Sequence, residues 1–414
     1  MTGAPGLPDE PGRRLAPHAP QPIREYIVKI ASRCNLDCSY CYVYHSADQS
    51  WRRQPRFMTD ETVDALGDRL AEHAHTHDLA SMRVWLHGGE PLLAGPDRLR
   101  RLVETLRARL APATLSVAVQ TNGVLLDDAL ARCLVGADIH VGISLDGDQA
   151  TNDLRRLFPD GRSSYDGARA GIETMLRPEF RSHLLGVLCT IQLDAPPDRV
   201  WEGILDLGVP AVDFLLPHGT WEHPPPGIRP GRLPGDADTP YADWLRELFD
   251  RWFDAPAQPV SVRLFEDLLH LLLGGTGSWE GVGLSPVALA VVETDGSYEQ
   301  IDPLKAVGEG AAATGLNVVD NPVDDLLALP AFRERQLGLA ALAPQCRGCD
   351  LVAVCGGGYY PHRHREGSGF ANPSVYCADL YALISHIQRR AADALARRGS
   401  TLAAVRAGGQ PTPA

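Results

Sequence analysis

The sequence predicts an α/β protein: an open or partial barrel of six parallel strands with helical crossovers, followed by a smaller, turn-rich C-terminal part. Two observations carry this. Between residues 24 and 218, short apolar runs alternate with longer amphipathic ones, which is the pattern of parallel βαβ units with right-handed crossovers. The polar motifs in that stretch also fall where the apolar runs end, and such folds keep their chemistry at the C-terminal ends of the strands. A chain of 414 residues, 44% hydrophobic and 22% charged, is long enough for one large domain and a second, smaller one.

The expected strands are 26–30, 83–87, 115–120, 140–145, 184–191 and 212–216, each a short run of mostly β-branched or aliphatic residues. Helices are expected over 59–73, 96–110, 127–133, 165–176 and 198–207. Thr59 and Asp127 stand at helix starts, where a side-chain oxygen can accept from the first free N–H groups. Residues 218–240 are dense in Pro and Gly and read as a connector. Helices over 241–253, 262–273 and 380–398 complete the pattern. The expected division is a disordered segment 1–22, a core 23–218, a connector 219–280, a C-terminal domain 281–398 and a disordered tail 399–414.

A formal net charge of −13 argues against a protein that coats nucleic acid or an anionic membrane surface. No stretch approaches the roughly 20 apolar residues of a membrane span, and the start of the chain lacks a hydrophobic signal core. The expectation is a cytoplasmic protein with no nucleic-acid or membrane partner. Nine cysteines, an odd number without an export signal, fit a disulfide framework poorly. Three cluster in 34–41 and four in 346–377; Cys133 and Cys189 stand alone in apolar patterns and read as small core residues.

Cys34-Asn-Leu-Asp-Cys38-Ser-Tyr40-Cys41 follows the first expected strand. Three thiolates in one loop can meet a single inorganic centre, and three ligands on a four-iron cube leave one iron open. Zinc with a missing fourth ligand, or one completed by His45, is the alternative. The cysteine spacing, with Tyr40 before the last cysteine, resembles the radical S-adenosylmethionine (SAM) superfamily. The resemblance continues in order. His87-Gly88-Gly89-Glu90-Pro91 resembles the family's Gly-Gly-Glu motif, which holds the methionine amino group. Gln120-Thr121-Asn122-Gly123 and Gly142-Ile-Ser144-Leu-Asp146-Gly147 close the next two strands. The resemblance implies a partial (β/α)6 barrel and a [4Fe–4S] cluster on Cys34, Cys38 and Cys41. It also implies SAM contacts from Tyr40, Gly88, Gly89, Glu90, Thr121, Asn122, Ser144 and Asp146. Arg156, in Asn152-Asp-Leu-Arg-Arg156, matches an arginine of relatives that reaches a carboxylate; a surface ion pair is the rival reading. The chemistry implied is reductive cleavage of SAM to a 5′-deoxyadenosyl radical that removes a substrate hydrogen atom.

Cys346, Cys349, Cys355 and Cys377 offer four ligands, enough for structural zinc. Their spacing resembles the SPASM domain of radical SAM peptide maturases, which implies a second, auxiliary [4Fe–4S] cluster. Full members hold two auxiliary clusters. Here two of the family's further cysteines are Ile301 and Tyr359, which implies one auxiliary cluster. Asp302 keeps the position of an aspartate that in some members is a general base; capping a turn before Pro303 is the alternative. The runs 292–302, 355–365 and 369–377 resemble the FxsB family, whose group modifies ribosomally made peptides and includes cyclophane formation. The implied partners are a precursor peptide and an electron donor such as a flavodoxin or ferredoxin. Anaerobic sulfatase maturation to formylglycine, thioether formation, and a zinc-bound interaction protein are the rival functions. Finally, His73-x-His75-x-His77 reads as a solvated helix face rather than a metal grip. His362-Arg-His-Arg365 reads either as an anion clamp or as an exposed basic turn.

Overall fold

The structure, a computed structural model, describes residues 20–407 apart from residue 278, and side chains as far as residue 397. Six strands and their crossovers appear where the apolar runs lie: β1 Glu25–Ala31, α1 Asp60–Thr76, β2 Ser81–Gly88, α2 Gly95–Leu110, β3 Thr114–Thr121, α3 Asp128–Gly136, β4 Ile139–Ser144, α4 Tyr165–Met175, β5 Leu184–Thr190, α5 Pro197–Leu207 and β6 Ala211–Leu215. All six strands pair in parallel, in sequence order. Thr59 and Asp127 cap α1 and α3 as their side-chain types require, accepting from the N–H groups of Thr62 and Leu130.

The crossovers form because their apolar residues share one face. On α2, Leu99, Leu102, Val103, Leu106 and Leu110 are all buried, at spacings that stack on one side of a helix. Burying each such leucine contributes on the order of 2 kcal/mol. The sheet side of this core is Val28, Val84, Leu86, Val117, Val119, Val141 and Ile143, all essentially inaccessible. The sheet is an α/β partial barrel of the expected class, and its open ends carry four further strands.

The connector supplies α6 Pro240–Asp254, β7 Ser261–Val262 and α7 Arg263–Leu272, with β7 beside β6. The C-terminal part supplies β8 Leu289–Val292, β9 Ser297–Glu299 and β10 Ala313–Asn317. One ten-stranded sheet runs β10-β9-β8-β1-β2-β3-β4-β5-β6-β7. β8 is parallel to β1, and β9 and β10 turn back antiparallel. The sequence reading expected turns here. Runs of three to five residues carry too little periodicity to be read as strands, yet Ala290, Val291 and Val292 are fully buried against β1.

The last helix, α8, spans Cys377–Ala407 and so continues past Gly399, where a tail was expected. The rest of the expected tail, 408–414, and residues 1–19 of the expected N-terminal segment lie outside the described residues. Cys189 is buried as expected, but Cys133 is only half-buried, its thiol facing the Pro96 carbonyl at 3.6 Å. Among the described residues no helix is long and apolar enough to cross a membrane.

Candidate active site

The loop after β1 is pinned from several sides. Asp37 N and Ser39 N donate to the carbonyls of Leu157 and Arg155 (2.8 and 3.0 Å), and Cys41 N closes a turn onto the Cys38 carbonyl at 2.9 Å. Cys34 Sγ lies 3.3 Å from Leu36 N and 3.8 Å from Asn122 Nδ2. The end of β2 presses against this loop, with Gly89 N donating to Ala31 O and Glu90 N to Arg33 O (both 2.9 Å). That approach requires glycine. Gly88 has φ +143°, and a Cβ there would collide with the Ala31 carbonyl; one on Gly89 would collide with the Tyr44 hydroxyl.

Glu90, 1% exposed, is the hub of the strand ends. Its carboxylate accepts from Leu92 N (2.9 Å), Thr121 Oγ1 (2.7 Å) and Asn122 N (2.8 Å). Burial nevertheless pushes its carboxyl above the ordinary range, against those hydrogen bonds. Gln120 Nε2 donates to Ser144 Oγ at 2.9 Å. Tyr40 is held between Asp146 Oδ2 (2.7 Å) and Arg156 Nη1 (2.8 Å). Thr190 N and Gln192 Nε2 occupy the rest of the Asp146 carboxylate. Arg156 is therefore not in a surface ion pair. Asp146 holds Tyr40 and the end of β5 from behind the cavity wall.

The three cysteines, Tyr40, Gly88, Gly89, Glu90, Thr121, Asn122, Ser144 and Arg156 line one cavity of about 1070 Å³ including its mouth, whose wall is completed by Leu215–His218 among others. Burial raises Cys34 to about 12 and Cys38 to about 11, so ionising them without a metal counter-charge would be costly. The second set, Cys346, Cys349, Cys355 and Cys377, lines its own pocket of about 450 Å³. There burial raises Cys355 to about 11 and Cys377 to about 12.

The donor geometry bears on which metal fits. Among the described residues, the groups that bring three ligand atoms within 4.8 Å of one another are His73, His77 and Asp324, and Glu293, Glu299 and Asp302; neither contains a cysteine. Tetrahedral zinc at about 2.3 Å from each sulfur would draw thiolates closer together than that. The wider spread of both cysteine sets fits four-iron cubes. His45, a possible fourth zinc ligand, pairs instead with Asp37 at 2.7 Å.

Residues 28–192 match the radical SAM superfamily. They form a radical SAM domain. Over 359 residues the chain is 24% identical to the cysteine-type anaerobic sulfatase-maturating enzyme of Clostridium perfringens, covering 86% of this chain and 94% of that one. It is 26% identical over 391 residues to the serine-type enzyme of Klebsiella aerogenes, covering 90% and 86%. In fold it is similar to native anSMEcpe with bound AdoMet, with a TM-score of 0.73 at 22% identity over 89% of this chain and 98% of that one. The same relative with AdoMet and the Cp18Cys peptide gives 0.72.

Beside the radical SAM cavity lies a buried charge cluster that the sequence reading did not assemble. Lys29 Nζ is 2.5 Å from Asp302 Oδ1 and 2.6 Å from Glu293 Oε1; Lys305 Nζ is 2.7 Å from Glu299 Oε1 and 3.2 Å from Glu293 Oε1. Asp302, expected as a base, is 1% exposed and bound into this cluster, off the cavity lining. Lys29 inside the apolar run of β1 was the available signal, since a buried lysine requires partners. Three carboxylates face two ammoniums. The two lysines draw Glu293 down despite its burial, while burial pushes Glu299 up to about 7.

A raised carboxyl stabilises the fold while protonated and loses that contribution as pH rises through its folded value. Between pH 5 and pH 8 Glu299 should therefore pull the melting temperature down, against the buried histidines His73, His87, His218 and His362, whose lowered values pull it up. Glu299→Gln should make the change over that range more positive than in wild type. Parallel melting curves of the two proteins check this, and equal slopes would refute it.

His73 is buried and shares Asp324 Oδ1 with His77, at 2.6 and 2.8 Å. It ties α1 to the C-terminal part, which a solvated face would not do; His75 alone is exposed. In 362–365, His362 is buried. Arg363 donates to the carbonyls of Gly356 (2.8 Å) and Gly358 (2.6 Å), bracing the turn after Cys355. Arg365, by contrast, is exposed in the turn that follows, so the run is a buried brace at its start and an exposed basic turn at its end.

Proposed function

We propose that this protein is a radical SAM peptide maturase that joins an aromatic ring carbon to a side-chain β-carbon in a ribosomally made peptide, a cyclophane. Cys34, Cys38 and Cys41 would hold the [4Fe–4S] cluster and leave one iron for SAM. Glu90 would face the methionine ammonium, with Thr121, Asn122, Ser144 and Arg156 around the rest of the molecule. With both bound, the cofactors supply a 5′-deoxyadenosyl radical. The chain's part is to orient the peptide and exclude water, and Leu188, Leu215 and Leu216 make that side of the cavity apolar. Cys346, Cys349, Cys355 and Cys377 would hold one auxiliary cluster, reduced by the electron that ring closure releases. A flavodoxin or ferredoxin would supply the first electron.

The observation that carries the crosslinking reading is the pair Ile301 and Tyr359. Ile301 packs with Leu304, Ala312 and Tyr360, and Tyr359 packs against His218, Trp279 and His362. This packing leaves no thiols for a second auxiliary cluster, which the resemblance associates with sulfatase and thioether maturases. A second reading, oxidation of a Cys or Ser to formylglycine, is favoured by the sulfatase-maturating relatives themselves.

Anaerobic co-expression with a candidate precursor peptide, followed by tandem mass spectrometry, separates the two. Loss of two hydrogens, with no backbone fragments between an aromatic residue and a neighbour, is expected. An aldehyde at a single Cys or Ser would instead establish the second reading. A peptide left unchanged by brown, SAM-cleaving protein would refute both for that peptide.

A further inference from the structure

The oxidation proposed above leaves a proton to be disposed of. The peptide first gives one hydrogen atom, a proton with its electron, to the deoxyadenosyl radical. The carbon radical adds to the aromatic ring, forming one C–C bond and leaving one ring hydrogen in excess. Restoring the ring then requires one electron to leave for a one-electron acceptor of the iron–sulfur class, and one proton to leave for a base. The net loss is two hydrogens. Formylglycine formation also passes through loss of a hydrogen atom, an electron and a proton, so the need for a base does not depend on which bond changes.

His218 meets the requirements for that base. It lies three residues beyond β6, on the wall of the radical SAM cavity, where it meets the first cysteine loop through Tyr42. Its ring meets Tyr42 edge-on at 4.9 Å and lies 5.9 Å from Tyr359. Its Nδ1 is 3.2 Å from Nε2 of the buried His362. If His218 donates from Nδ1, its Nε2 keeps a lone pair, and His362 accepts and fixes the ring as an orienting group does in a catalytic triad.

We propose that His218, oriented through Nδ1 by His362, accepts at Nε2 the proton that the oxidised peptide loses in the cavity. Asp302 acts at one remove: its charge favours the imidazolium that forms, while Lys29 holds its carboxylate in place. Burial keeps His218 neutral, with a value near 4, so it is free to accept at neutral pH. A ring that has just lost an electron is acidic enough to protonate so weak a base. His362 is a positioning residue, since it touches His218 rather than the peptide.

This assignment rests on the peptide-oxidation reading, and one experiment separates the two. Peptide deuterated at the abstracted position is turned over by wild-type protein and by the His218→Ala, His362→Ala and His362→Gln variants, each matched for iron content and melting temperature. Deuterium in 5′-deoxyadenosine reports abstraction, and modified peptide per deoxyadenosine reports completion. Completion is expected to fall at least tenfold in H218A and several-fold in H362A. H362Q, which keeps an acceptor for Nδ1, should recover most of the loss. Unchanged completion in H218A overturns the assignment of the base. Equal loss in H362A and H362Q overturns the orienting role. A wild type that transfers no deuterium from any peptide overturns the oxidation reading and this inference together.

Discussion

Lys29→Met is expected to destabilise the folded protein by about 3–5 kcal/mol, the usual cost of removing one partner from a buried ion pair. Lys29 is 2% exposed and touches two carboxylates, Asp302 and Glu293, with Glu299 at 4.0 Å. Methionine fills a similar volume, so a cavity contributes little. The cost comes from carboxylates left in a low-dielectric site. Lys305 still pairs with Glu299 and Glu293, but Asp302 would lose the ammonium in direct contact with it. That makes a second variant informative. Lys29→Met combined with Asp302→Leu removes the charge and its partner together and should recover most of the loss, because apolar replacements of a whole buried pair are often neutral. Urea titrations of both variants, followed by circular dichroism and cluster absorbance, measure the two effects. A single-variant loss below about 1 kcal/mol would place Lys29 in the range of surface pairs and refute the argument.

The same cluster marks where sequence reading stopped. The repeating units were legible because each is written in its own segment: the leucines of α2 recur at helical spacing, and β3 or β4 is a short apolar run ending in a polar motif. The order of motifs along the chain also matched the order of strand ends, so Glu90, Thr121 and Ser144 were found together before any contact was known. Contacts between distant segments were not legible. Lys29 and Glu293 are 264 positions apart, and nothing local in either segment specifies the other. The strands β8–β10 were missed for a related reason, since their burial comes from β1 and not from their own pattern. His218 was passed over because a single histidine in a Pro-rich connector carries no periodic signal; only its position on the cavity wall sets it apart. Asp146 shows the opposite case. Its motif correctly gave its strand end, but side-chain direction decided that it holds Tyr40 and Thr190 rather than facing the cavity.

Glu90→Gln is expected to weaken SAM binding by about 10–100-fold, since a hydrogen bond to a charged group such as the methionine ammonium contributes about 1.5–3 kcal/mol and each 1.4 kcal/mol is tenfold in affinity. The protein's own donors around the carboxylate set the accompanying loss of stability. Every group that meets the Glu90 carboxylate is a donor: Leu92 N, the Thr121 hydroxyl and Asn122 N. Two carboxylate oxygens accept all three. A glutamine offers one oxygen, and its amide NH2 would face an N–H or a hydroxyl hydrogen, so at least one buried donor loses its partner. The charge that would balance the methionine ammonium disappears with it. Thr121→Val separates these effects, because it removes one donor and leaves the carboxylate ionised; its loss in affinity should be about tenfold or less. Calorimetric titration of SAM into anaerobic holoprotein gives both constants, and melting temperatures report how far the loop itself has loosened. If Glu90→Gln binds SAM as tightly as the wild type while melting earlier, Glu90 serves only to brace the ends of β2 and β3, and the ammonium must be met elsewhere on the cavity wall.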